Sequence, residues 1–141
     1  MRSSSNGAWH AAMTRITGER LTGAIVGLGF VGVLLTAWLV ASEIFREPTC
    51  PSLLGVPACY LVLAGYAAAT GGAWMPGHKV GDAIFLAGAG AVTAIGVYFT
   101  FNQIRDAVEC PTFEGLPMCY VSLLAGATML GLHQLRRRLT E

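Results

Sequence analysis

Cys50-Pro51-Ser52-Leu53-Leu54-Gly55-Val56-Pro57-Ala58-Cys59-Tyr60 is written again, sixty positions on, as Cys110-Pro111-Thr112-Phe113-Glu114-Gly115-Leu116-Pro117-Met118-Cys119-Tyr120. Six of the eleven positions are identical, and all four cysteines of the chain fall in the two copies. The match runs beyond the motif. At the same offset residues 21–42 lie over 81–102, and Ile44 lies over Ile104. The chain reads as a duplicated unit with one cysteine pair per copy.

Composition decides what kind of unit it is. Of the 141 residues 54% are hydrophobic and 12% charged, against roughly 25% charged in an average soluble domain. The apolar residues come in blocks: 21–42, 57–77, 83–104 and 117–132 contain no charged side chain. At ~1.5 Å per residue such blocks are of the order needed to cross a ~30 Å hydrocarbon core. The expectation is an all-α integral membrane protein, a four-helix transmembrane bundle. The first block is too long for the apolar region of a signal peptide and belongs to the first repeat. Each unit crosses twice, so the second re-enters in the same sense. The two should be parallel repeats related by a pseudo-two-fold axis along the membrane normal.

Charge sets the orientation. Arg2, Arg15, Arg20, Lys79, Arg136, Arg137 and Arg138 share one side, and only Arg46 and Arg105 fall on the other. Basic residues collect on the cytoplasmic side, so both termini should be cytoplasmic and both cysteine loops periplasmic, on a bacterial inner membrane. Glu43, Glu47, Asp106, Glu109 and Glu114 make the outer face acidic. Trp38, Trp74, Tyr60, Tyr98 and Tyr120 fall near the expected boundaries, where amphipathic rings prefer to sit. The organisation follows: an inner segment over 1–20, repeat 1 over 21–76, repeat 2 over 77–135 and a basic tail over 136–141. In the inner segment Trp9, Met13 and Ile16 share a helical face, which reads as an interfacial helix or as disorder. Small residues at i, i+4 spacing supply expected packing stripes: Gly23, Gly27 and Val31; Ala64, Ala68 and Gly72; Ala87 and Ala91.

The motif has a local physics of its own. Pro57 and Pro117 suit the first position of a helix, where the missing N–H is no loss. Cys59 and Cys119 then fall in the first turns of the second and fourth helices, whose partial positive charge favours a thiolate. Gly55 and Gly115 allow positive φ in a tight turn. Pro51 and Pro111 push Cys50 and Cys110 towards extended backbone. Four cysteines allow three connectivities. Pairing within each motif, Cys50–Cys59 and Cys110–Cys119, closes rings of ten residues, worth about 2.5–3 kcal/mol each on loop entropy. Crossed pairing between copies is also allowed by the pseudo-symmetry. Zinc is disfavoured, because eight residues separate the members of each pair and His10, His78 and His133 lie towards the other face. His78 and His133 read as interfacial polar residues, and Arg136 to Arg138 as the positive-inside anchor with a weak appeal to anionic lipid.

In layout the chain resembles the membrane oxidoreductases of the disulfide-bond formation and vitamin K epoxide reductase families. The resemblance rests on four helices, cytoplasmic termini and two cysteine pairs at helix starts on the oxidising side. It implies thiol–disulfide exchange linked to a quinone, with a thioredoxin-like partner. The chain departs from those families in having no Cys-x-x-Cys pair, and no quinone-contacting residue is carried over.

Three functions stay open: a thiol–disulfide oxidoreductase, a non-catalytic accessory subunit or assembly factor of a larger membrane complex with structural disulfides, and a passive transporter. No ionisable residue sits centrally in any block, which argues against pumps and ion-coupled carriers. Nothing in the sequence suggests nucleic-acid binding. If the cysteines act, Cys59 is the expected attacking thiol, since Arg46 precedes the first pair and favours a thiolate, while Glu109 and Glu114 flank the second.

Overall fold

The chain is carried by four helices, α1 (Ser4–Phe45), α2 (Ala58–Ala73), α3 (Lys79–Ile104) and α4 (Met118–Thr140). This is a computed structural model that describes residues 4–46 and 50–140. Arg2 and Glu47, counted above among the charges, lie outside the described residues, as do the side chains of Trp9 and His10.

Three stretches are long and apolar enough to cross a membrane: Ala12–Phe45 of α1, all of α3, and Met118–Leu139 of α4. The second apolar block behaves differently from expectation. α2 has 16 residues, about 24 Å of helix. The charge-free stretch 57–77 is longer, but a β-hairpin takes its start and a turn takes its end. Pro76 disfavours helical backbone at Met75, and Gly77 then reverses the chain at φ 83°. The other surprise is at the termini. Residues 8–20, read in the sequence as an interfacial helix or as disorder, belong to α1, which runs unbroken from Ser4. Their exposed face carries the Arg15–Glu19 pair at 3.7 Å. The basic tail is likewise helical, because α4 runs through Arg136, Arg137 and Arg138.

The helices close a ring in which α1 and α3 each pack on both α2 and α4. The buried faces recur at the sixty-residue offset. On α1 they are Ile25, Gly29, Gly32, Thr36, Leu39 and Val40; on α3, Phe85, Ala89, Val92, Gly96, Phe99 and Thr100. On α2 and α4 the pairs Tyr66/Gly126, Ala69/Met129 and Ala73/His133 are buried in both copies. Ile25, Tyr66, Phe85 and Met129 form the centre of the core.

Small residues do bring the helices together, but in a different phase from the expected stripes. Gly23, Gly27, Val31, Ala64, Ala87 and Ala91 all face outward, and a Cβ added at Gly23 or Gly27 would meet nothing within 4 Å. Gly72 keeps its expected place, and Ala68 is half-buried. The closest approach is between α2 and α3. There a Cβ on Gly72 would lie 2.5 Å from the Phe85 backbone nitrogen, and one on Gly88 2.5 Å from the Gly65 carbonyl oxygen. On α1, Gly32 accommodates the Tyr66 ring. Small side chains occur all round these helices, so i, i+4 spacing alone offers several stripes. The bulky Tyr66 and Phe85 decide which one is used.

A polar cluster ties the end opposite the hairpins. Arg136 of α4 donates to Thr22 Oγ1 of α1 at 3.4 Å and to Asp82 Oδ1 of α3 at 3.3 Å. Thr22 and Asp82 occupy equivalent positions sixty apart, so one guanidinium bridges the two copies. His133 stacks on Phe85 at 4.6 Å and is 1% exposed. The sequence reads it as interfacial; α4 instead rotates it into the core, one residue beyond the charge-free block. A groove of about 610 Å³ beside the cluster is lined by Thr14, Glu19, Thr22, Gly77, Asp82 and Arg136 among others. The start of α1, the α2–α3 turn and the end of α4 thus share one end of the molecule.

Candidate functional site

At the other end each cysteine motif folds as a two-residue β-hairpin. β1 (Ser52–Leu53) pairs with β2 (Val56–Pro57), and β3 (Thr112–Phe113) with β4 (Leu116–Pro117), with Ser52 opposite Pro57 and Thr112 opposite Pro117. The turn residues Leu54 and Gly55 have φ 54° and 82°; Glu114 and Gly115 have 49° and 85°. Two successive positive φ values make a type I′ turn, whose twist matches that of the strands it joins. Leu54 and Glu114 bear a left-handed conformation that costs a side-chain-bearing residue roughly 1–2 kcal/mol.

The cysteines extend this ladder. Continuing the register one step sets Pro51 opposite Ala58, and the Ala58 N–H donates to the Pro51 carbonyl at 2.9 Å. The next step sets Cys50 opposite Cys59, and the two are joined, with Cα atoms 6.1 Å apart. The second copy repeats it: Met118 N–H to Pro111 at 3.0 Å, and Cys110 bonded to Cys119 with Cα atoms 6.3 Å apart. Of the three connectivities, the structure adopts pairing within each motif. Pro57 ends the ladder and caps α2 instead of opening it, so Ala58 is the first helical residue and Cys59 stays in the first turn. The N–H of Ala58, left without a helical acceptor, is satisfied by the hairpin.

The disulfides are neighbours. Cys59 packs with Leu39 and Val40, joined by Cys50, Leu63 and Met118. Cys110 packs with Ala58 and Phe99, joined by Leu53, Val108 and Cys119 among others. The residue preceding Cys119 therefore reaches the first disulfide, and the residue preceding Cys59 reaches the second. Cys59 and Cys119 border one small apolar pocket of about 50 Å³. Cys50 and Cys110 border one open groove of about 980 Å³, together with Trp38, Phe45, Arg46 and Glu109. Within each pair one sulfur is better covered. Cys59 is 8% and Cys110 7% exposed, whereas Cys50 and Cys119 are half-buried.

A carboxylate stands beside the first disulfide. Glu43 places an oxygen within 4.8 Å of both Cys50 Sγ and Cys59 Sγ, and its Oε2 is buried with no hydrogen-bond partner among the described residues. Sixty residues on, the same position is Gln103, whose Oε1 is also buried and unpartnered. In the sequence Glu43 counts only towards the acidity of the outer face. The signal that picks it out was present in the repeat itself, because the offset lays a titratable residue over its uncharged isostere. With both sulfurs in a disulfide, the Glu43–Cys50–Cys59 group offers no thiolate to a metal.

No known protein family, curated protein or solved structure matches this chain.

Proposed function

We propose that the chain is a four-helix membrane bundle of two parallel two-helix repeats, whose Cys50–Cys59 disulfide exchanges electrons with a dithiol protein at the periplasmic face of a bacterial inner membrane. The observation that carries this reading is the shared groove: half-buried Cys50 and the more covered Cys110 border one concave surface. Two disulfides serving only to tie separate loops have no need of a common surface. The short α2 is completed at one end by its hairpin and at the other by Trp74, an interfacial ring 75% exposed. Arg15, Arg20, Lys79, Arg136, Arg137 and Arg138, at the end opposite the hairpins, support a cytoplasmic position for that end by the positive-inside rule.

Cys50 is the sulfur that an incoming thiolate meets, because Cys59 is covered. Attack at Cys50 breaks the S–S bond and leaves the electron pair on Cys59, in the first turn of α2, where the helix end stabilises negative charge. In the reverse direction Cys59 closes on the mixed disulfide at Cys50. Cys59 is thus the resolving thiol and Cys50 the one in contact with the partner. A quinone does not suit the space between the pairs. The pocket of about 50 Å³ between Cys59 and Cys119 has room for a few waters and not for an aromatic head group, and no step is routed through a quinone there.

Burial of Cys59 and Cys110 favours a second reading, a non-catalytic subunit of a larger membrane complex with structural disulfides. Purified protein mixed with a reduced thioredoxin-like dithiol separates the two. The expected result is stoichiometric oxidation of the dithiol with loss of the Cys50–Cys59 disulfide. Two disulfides that stay closed under native conditions would leave the structural reading standing.

A further inference from the structure

We infer that Glu43 is the proton donor and acceptor for Cys59, and that Gln103 in the equivalent place makes the second disulfide the inactive one. The inference rests on the exchange reading above. Cys59 is 8% exposed as a residue and packs among Leu39, Val40, Leu63 and Met118. A thiolate released into such surroundings is poorly solvated and cannot readily collect its proton from bulk water. The Glu43 carboxyl lies within 4.8 Å of the Cys59 sulfur, with one oxygen buried and unpartnered among the described residues. A buried polar oxygen without a partner is costly to maintain, and beside a reacting disulfide it has a use.

The step balances as follows. The thiolate of an external dithiol attacks Cys50 Sγ, the Cys50–Cys59 bond breaks, and the electron pair goes to Cys59 Sγ. The Glu43 carboxylic acid supplies the proton that makes Cys59 a thiol. The second thiol of the partner loses its proton to the Glu43 carboxylate and attacks the partner's sulfur in the mixed disulfide. Cys50 leaves with the electron pair and takes a proton from water. The partner dithiol is oxidised to a disulfide, Cys50 and Cys59 are reduced, and Glu43 is regenerated. In the second copy the equivalent position holds Gln103, whose amide has the shape of the Glu43 carboxyl but exchanges no proton at ordinary pH. Of the differences between the copies, this one concerns a group that can exchange a proton, and it replaces the Arg46 effect as the cause of unequal reactivity.

The test uses full-length protein in detergent with dithiothreitol as the dithiol. Opening of each disulfide is followed by alkylation and mass shift between about pH 5 and pH 9. Arg46, just past the end of α1, and Glu109, across the groove, are the charged groups bordering that groove among the described residues, and Tyr60 follows Cys59 on α2. Neither they nor Tyr60 are altered. Glu43→Gln is expected to slow opening and closing of Cys50–Cys59 by about 100-fold, of the order general acid–base assistance supplies. It should also leave Cys110–Cys119 unchanged. The unchanged second disulfide reports that the fold is intact. Gln103→Glu is expected to quicken opening of the second disulfide. A Glu43→Gln protein that opens its first disulfide at the wild-type rate over that pH range overturns the role of Glu43 and leaves the exchange reading in place. A wild-type first disulfide inert to the dithiol overturns both.

Discussion

Gly72→Ala is expected to destabilise the bundle more than any other single-methyl change among its glycines. The added Cβ would sit 2.5 Å from the Phe85 nitrogen and 2.6 Å from the Gly81 oxygen. Both are backbone atoms of α3, so no side chain can turn aside and the helices must part. Overpacking usually costs about 1–3 kcal/mol. Here the cost should reach or exceed the top of that range, because loss of close backbone contact also removes the dispersion that holds apolar helices together in lipid. Gly88→Ala, facing the Gly65 oxygen and the Ala69 nitrogen at 2.5 and 2.6 Å, should behave alike. Gly27→Ala is the control. It has no neighbour within 4 Å and should be neutral, although its i, i+4 pairing with Gly23 marks it in the sequence as a packing residue. Denaturation in detergent, followed by circular dichroism, measures all three. Equal losses at positions 27 and 72 would refute the helix phase described here.

Removing the two disulfides should have opposite consequences. Cys50→Ser leaves Cys59 beneath its apolar cover, out of reach of a partner, so exchange should fall to background, at least 100-fold below wild type. The paired change Cys110→Ser with Cys119→Ser should leave exchange near the wild-type rate. Its effect is on stability, about 2.5–3 kcal/mol for a ring of this size. Rates come from oxidation of a reduced thioredoxin-like domain, stabilities from the same denaturation curves. Exchange that survives in Cys50→Ser and is lost in the second-pair variant would invert the assignment.

How far these features were legible varies with their physics. Periodicity and burial belong to the helices, and the sixty-residue offset carries them well: Ile25 lies over Phe85, Leu39 over Phe99, and all four are buried. The hairpins are harder to see. Type I′ turns are recognised by Asn-Gly or Asp-Gly, whereas Leu54-Gly55 and Glu114-Gly115 carry only the glycine, and the disulfide closing the ladder holds the first turn residue in place. The end of α3 hides for a similar reason. Asp106 takes the left-handed position at φ 54°, and the Ala107 N–H returns to the Asn102 carbonyl, a helix stop usually marked by glycine. Charge-free windows define spans by what they lack, and so pass over His133, Asp82 and Arg136, which sit just past the edges of theirs. Those three meet only after α3 and α4 have packed. Glu43 is the clearest case. Its role depends on a hairpin folding back over the end of α1, a contact that no local pattern encodes.

The central claim, that a reactive disulfide faces the outer side of a membrane, is tested most directly by alkylation-shift analysis in intact cells. A membrane-impermeant maleimide is applied before and after a mild reductant, and the four cysteines are resolved by mass. The expected result is partial labelling of Cys50 and Cys59 without reductant and their full labelling after it, with Cys110 and Cys119 closed in both. Four cysteines that stay oxidised throughout, or that label only in inverted vesicles, would contradict it.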